Sequence, residues 1–132
     1  MKEADIANAL GQRLQEDSPI WLMPIVWENK VAQPERPYLS VEMVRTGRTD
    51  DTLDGTNTRH TGFMQVTVVS DRNKFTSDAL AIADDVAAQF PYGLRLPIPG
   101  GEVVIIRPPL TQQSYQDKAD LRTPVRIDYE TN

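Results

Sequence analysis

The chain has 132 residues, 39% of them apolar, and carries a net charge of −5 from 14 basic and 19 acidic side chains. That length suits a single domain spanning 1–132, which at this size buries roughly two thirds of its unfolded surface. No run of Lys and Arg marks a general DNA-binding surface, the acidic balance disfavours anionic membranes, and the absence of cysteine excludes disulfides and thiolate metal sites.

Ten prolines and the modest apolar content imply generous loops. The first residues, MKEADIANAL, are charged and hold no signal-peptide core. No apolar run approaches the ~20 residues of a membrane span. Synthesis in the cytoplasm is the expectation.

Ile6, Leu10 and Leu14 recur every four residues with Ala9 beside them, which predicts a helix over 2–16. It must stop before Ser18-Pro19, because a residue preceding proline avoids the helical region. MPIVWEN at 23–29 reads as a short strand with Ile25 and Trp27 on one face. QPERP at 33–37 cannot hold a sheet ladder, since proline donates no hydrogen bond, and makes a rigid connector. Leu39, Val41 and Met43 then alternate with Ser40, Glu42 and Val44, the pattern of a half-buried strand. Met64, Val66 and Val68 alternate with Phe63, Gln65 and Thr67 in the next one, and the two are expected to pair antiparallel. Between them RTGRTDDTLDGTNTRH, residues 45–60, reads as one long polar loop whose lone aliphatic is Leu53.

Residues 76–90 give the clearest helix. Thr76 or Ser77 can cap it and Asp78 suits its positive end. Ile82, Val86 and Phe90 form its apolar stripe, flanked by Ala79 and Ala83, and Pro91 ends it. PIPGG is a turn. Val103 to Ile106 are apolar on both faces, as in a central or doubly covered strand. Residues 110–116 suggest a further strand, and in TPVRIDYE Val125, Ile127 and Tyr129 face in while Arg126, Asp128 and Glu130 face out. The order αβββαβββ predicts an α+β fold, with two helices packed on one face of a mainly antiparallel sheet. The helical positions Ile6, Leu10, Leu14, Ile82, Val86 and Phe90 are expected to bury against Val41, Val66, Val104 and Ile127.

Chemistry is hard to find in this pattern. His60 is the only histidine, and a lone histidine at a loop–strand junction is usually a surface residue or a local hydrogen-bond partner. Asp50, Asp51 and Asp54 echo a calcium loop, but their spacing fails the D-x-D-x-D-G pattern and no bidentate glutamate follows. Asp84 and Asp85 are neighbours on a helix and point about 100° apart, so they do not converge as an acid–base pair. There is neither a G-x-S-x-G elbow nor a phosphate-binding P-loop. Trp21 and Trp27 read as core anchors, with an apolar pocket shared with Phe90 as the alternative. No enzyme activity, cofactor or metal is therefore expected.

Five segments nevertheless follow one another in a recognisable order: WEN at 27–29, RPYLSVEMV at 36–44, HTGFMQVTVV at 60–69, AAQFP at 87–91 and TPVRIDY at 123–129. In that order and spacing, over nearly its whole length, the chain resembles the tail terminator-like proteins of long-tailed bacteriophages and related tail-like particles. The resemblance implies a small α+β subunit that assembles as a ring, usually of six copies, on the head-proximal end of a finished tail tube. Such a ring stops tube growth and offers a surface for joining the head, and genomic DNA passes through its lumen without being specifically bound. The implied partners are other copies of the chain, the tail tube protein and the head–tail connector protein, in the neck region of the virion tail and with no membrane.

The family carries no catalytic motif, so none is transferred. WEN and PYL look like determinants of the fold. The 45–60 segment is longer than the resemblance suggests. It is expected to reach a neighbouring subunit or the tube through Arg45, Arg48, Asp50, Asp51, Asp54, Arg59 and His60. The alternatives are another neck or tail-completion protein, and a small-ligand binding module built on Trp21, Trp27 and Phe90.

Overall fold

The computed structural model describes residues 3–15, 23–27, 34–50, 58–71 and 76–131. The chain forms helix α1 (Glu3–Gln15), strands β1 (Ile25–Val26), β2 (Tyr38–Asp50) and β3 (Thr58–Asp71), helix α2 (Thr76–Ala88), and strands β4 (Arg95–Ile98), β5 (Gly101–Ile105), β6 (Leu110–Thr111), β7 (Tyr115–Asp117) and β8 (Asp120–Thr131). This is the expected α+β order. One short strand is added before the central one, and the 110–116 segment is divided into β6 and β7.

The sheet runs β1-β2-β3-β8-β5-β4, with β6 and β7 also paired to β8. All pairings are antiparallel except β1 with β2. Strand β8 therefore keeps β3 along one edge and meets β5, β6 and β7 in turn along the other. Pro124 lies within it opposite Thr67; it has no N–H to donate, but its carbonyl accepts from Gln112 N–H at 2.8 Å.

Parity along the strands decides what is buried. Leu39 and Val41 of β2, Met64, Val66 and Val68 of β3, and Val125, Ile127 and Tyr129 of β8 all turn to the helix side and are buried. Helix α1 meets them with Ile6, Leu10 and Leu14, all fully buried. Each such side chain stabilises the fold by about 1.5–3 kcal/mol through apolar burial. Acidic Glu3 and Asp5 in its first turn and Arg13 in its last complement the helix dipole. Arg13 Nε also donates to the Gln89 carbonyl at 2.8 Å, joining the C-terminal ends of the two helices.

Helix α2 and the turn that follows it bury Ala79, Ala83, Val86 and Phe90, while Ile82 is only half-buried at the edge of the core. Its apolar stripe is thus centred on the two alanines, whose small side chains let the helix approach the sheet closely. The last turn tightens, with Gln89 N–H bonded to Val86 O and Phe90 N–H to Ala87 O, both at 3.1 Å, before Pro91. Gly93, at φ 84°, makes the following turn and its N–H reaches Ile105 O at 2.8 Å.

Two expectations need correction. Val104 does not meet the helices: Val103 and Ile105 do, both fully buried, and Val104 lies half-buried on the opposite face. With apolar residues at every position from 103 to 106 the sequence alone could not set the parity. The register, Val103 against Thr131 and Ile105 against Tyr129, sets it. Strand β5 is indeed central, lying between β8 and β4.

The second correction concerns 45–60, which is mostly strand rather than loop. β2 continues to Asp50 and β3 begins at Thr58, so only 51–57, outside the described residues, joins them. Threonines 46, 49, 58 and 61 are good strand formers. The ribbon they build is polar on both sides, so it carries no alternation to announce it. Trp21 also lies outside the described residues.

Phe90 and Val86 are fully buried where α2 meets the sheet. Phe90→Ala is expected to cost about 3–5 kcal/mol. Val86→Asp is expected to abolish cooperative unfolding near room temperature, because an unpaired buried charge costs several kcal/mol. Thermal melts followed by circular dichroism check both; a wild-type melt for Val86→Asp would contradict the packing.

Candidate assembly surface

The described residues contain no cluster of His, Cys, Asp and Glu able to hold a metal ion. The notable features are instead an extended ribbon, an unpaired strand edge and a sheet face without helices. Each follows from the topology.

The ribbon is the distal part of the β2–β3 pair. Its register shifts between Arg45 and Gly47, so that Arg45 faces Gly62, Gly47 faces Thr61, Arg48 faces His60 and Asp50 faces Thr58. The bulge bends the ribbon at the level where the body of the sheet ends. Two glycines make it possible. A Cβ on Gly62 would collide with the Val44 carbonyl oxygen and lie 2.8 Å from the Tyr129 hydroxyl. One on Gly47 would sit 2.8 Å from Thr61 Oγ1. Beyond the bend, Thr46 and Thr61 hydroxyls pair across the strands at 3.2 Å.

A three-residue link ties this bend to α1. Glu3 accepts from His60 Nδ1 at 2.6 Å with one carboxylate oxygen and from Arg45 Nε at 3.2 Å with the other. His60 N–H also bonds Thr131 Oγ1 at 2.8 Å. His60, expected among the contact residues, is only 3% exposed and turns inward at the base of the ribbon. Its Nε2 is buried without a hydrogen-bond partner among the described residues. Arg45, Arg48 and Arg59 are exposed on the strands, Arg59 lying 3.7 Å from Glu130. Asp50 ends β2, while Asp51 and Asp54 lie outside the described residues. The structure therefore brings Arg45 and His60 together on Glu3 and separates Arg59, on the opposite face, from them.

Along the outer edge of β2, β1 pairs only with Leu39 and Ser40. From Val41 to Asp50 that edge has no strand partner among the described residues. The opposite edge of the sheet is β4, four residues long and interrupted by Pro97, which has no N–H to offer. The two edges are thus unequal.

The face of the sheet away from the helices is laced with charge. Arg126 stacks 3.9 Å over the Phe63 ring and bonds Asp128 at 3.1 Å, and Arg107 reaches the same carboxylate at 3.5 Å. Asp128 is buried by these neighbours. Beside them a shallow cleft of about 220 Å³ is lined by Arg59, Arg95, Val104, Ile106, Glu130 and Thr131, and Arg95 pairs with Glu102 at its rim. Sequence alternation placed Arg126, Asp128 and Glu130 on this face but had no signal for the network, which depends on three strands meeting. A second cleft, of about 300 Å³, opens on the helix side between Ala7, Asn8, Gly11, Trp27, Val41, Met43 and Met64. Trp27 lies against Gly11 there, whereas Phe90 is in the core, so the expected pocket shared with Phe90 is not assembled.

A family model described as phage tail terminator protein matches residues 5–129. The chain belongs to the phage tail terminator family. That family is one of structural tail proteins, and this terminator-family chain is accordingly a structural protein of a phage-type tail. No protein of curated function matches the sequence. Among solved structures, one aligns with a TM-score of 0.80 at 22% identity, covering 100% of this chain and 96% of its own. Another, from the virion of a native gene transfer agent (GTA) particle, aligns with a TM-score of 0.69 at 18% identity, covering 97% of this chain and 94% of its own. At these identities both likenesses concern the fold. No helix among the described residues of the terminator-family chain is long and apolar enough to cross a membrane.

Gly62→Ala tests the bend. The added methyl must displace the Val44 backbone, and a loss of about 1–3 kcal/mol in unfolding free energy is expected from overpacking. Urea titration measures it. A change below ~0.5 kcal/mol would mean that the two strands do not approach so closely.

Proposed function

We propose that the chain caps the head-proximal end of the phage tail tube as a ring of six copies, ending tube growth and presenting the surface that the head–tail connector protein joins. The observation that carries this reading is the family match over residues 5–129. The likeness of fold to a component of a virion particle supports it. In this reading the protein is made in the host cytoplasm and resides in the neck of the tail. Genomic DNA passes through the lumen of the ring unbound, as a net charge of −5 favours. The role uses neither catalysis nor cofactor: what a cap requires is a rigid body, edges that accept another copy, and an arm that reaches beyond the body.

The ribbon serves as that arm. Arg45, Arg48, Asp50, Asp51, Asp54 and Arg59 make contacts to a neighbour or to the tube, and His60, through Glu3, fixes the angle of the base. Exposed ion pairs contribute only ~0.2–1 kcal/mol each, so the contact works through several pairs repeated around a ring and weakens with salt.

Electron microscopy of particles made without this protein tests the role: overlong tails, or tails without heads, are expected. Tails of normal length with heads attached would overturn it, and normal length with a defect at the far end would point to a tail-completion protein instead. Cross-linking on purified tails should count six copies per tail. Replacing residues 49–57 with a short Gly-Ser link is expected to leave the melting temperature within a few degrees and to impair assembly onto tubes. Normal tail yield from that variant would reduce the ribbon to a solvated tip.

A further inference from the structure

We infer that the cationic base of the ribbon docks on the acidic outer surface of α2 in the adjacent copy of the chain, so that copies associate head to tail. The inference rests on the ring reading and deepens it by naming the two surfaces that meet.

Arg45 and Arg48 share one face of the ribbon. Arg48 stands in register with His60, whose side chain turns to the helix side beneath Glu3, and Arg45 reaches Glu3 from the same side. Both arginines are exposed, and Arg48 makes no ion pair among the described residues. Asp50 ends β2, and Asp51 and Asp54 lie outside the described residues, so the charges next to the bend on this face are the cations Arg45 and Arg48.

The counterpart surface is α2. Its exposed side carries Asp84 and Asp85, and the helix contains no basic residue. Neither carboxylate has a hydrogen bond or ion pair among the described residues. Both lie in the last two turns, and Asp85 is in the last one, at the negative end of the helix dipole, where cations are favoured. A cationic surface of another copy complements both carboxylates.

The two surfaces lie apart within one copy. The ribbon leaves the sheet at the start of β3. Helix α2 begins at the other end of that strand, where Asp78 and Ala79 flank the same cleft as Ser70 and Asp71. From His60 to Ser70 is ten residues of strand, about 33 Å. The last turn of α2 meets α1 at Arg13, ten residues and about 15 Å of helix from Glu3. The arm extends past Glu3 in the other direction. Opposite charges set apart in this way on one subunit make a heterologous contact, which closes into a ring when the rotation between copies permits.

Complementary charge reversal tests the contact. Arg45→Glu with Arg48→Glu makes the ribbon acidic; Asp84→Lys with Asp85→Lys makes the helix basic. Each double variant alone should repel itself and lose at least tenfold in the yield of rings assembled on purified tail tubes that lack the protein. An equimolar mixture of the two should regain near-wild-type yield, because each ribbon then faces an opposite charge and a six-membered ring accepts strict alternation. If the ribbon double variant melts low through loss of the Glu3 pair, Arg48→Glu alone repeats the test, since Arg48 makes no ion pair among the described residues. Either double variant assembling alone at wild-type yield overturns the contact. So does failure of the mixture, which would assign these charges to the tube. A wild-type protein that stays monomeric on tubes would instead overturn the ring reading and this contact with it.

Discussion

Strand β3 is paired along both edges for most of its length, with β2 on one side and β8 on the other, and its register with each fixes what every other element can do. Because side chains alternate, a slip of one residue would turn Met64, Val66 and Val68 outward and bring Phe63 and Gln65 under the helices. Helix stripes spaced for the first arrangement would then meet polar groups. Gly62 guards this register: only a residue without a Cβ lets the Val44 carbonyl and the Tyr129 hydroxyl approach together, and this is the place where the ladder bulges.

Much of the fold was legible because its signals are local and periodic. Ile6, Leu10 and Leu14 mark one helix by fours, and Val125, Ile127 and Tyr129 mark a strand by twos; each of these residues is fully buried. Where the pattern is uniform it says less. Four consecutive apolar residues at 103–106 gave no parity, and Val104 was assigned to the wrong face. Where the pattern is wholly polar it says nothing. The strands at 45–50 and 58–60 read as loop because a ribbon outside the body needs no apolar side.

The assembly surface was less legible than the fold. Glu3, His60 and Arg45 come from distant parts of the sequence, and nothing local in any of them marks their meeting. Arg126, Phe63 and Asp128 were each placed on the correct face, yet the stack of guanidinium on ring arises only once β3 and β8 are in register. The family resemblance found what the residues could not, because order and spacing over the whole chain record the fold even when no motif records a reaction.

Covering only one face of the sheet with helices has a consequence for how such a subunit can behave. The other face must remain compatible with water until a partner arrives, and it does so by spending its polar groups on one another: Arg126 and Arg107 on Asp128, Arg59 on Glu130, Arg95 on Glu102. These pairs offset most of the charge on the face without making it apolar, and a surface of that kind adheres weakly to a single partner. The edges follow the same logic, since β4 is short and carries Pro97, while the long edge of β2, without a strand partner among the described residues beyond Ser40, bears Glu42, Arg45 and Arg48, charges that discourage indiscriminate strand pairing. A body protected in these ways gains little from one contact. It gains much more when each copy makes two contacts at once, as in a closed ring, because the second is formed by copies already held in place. In the proposed ring, that is the physical reason for a subunit to remain dispersed in solution and to assemble only where the end of a tube holds several copies together.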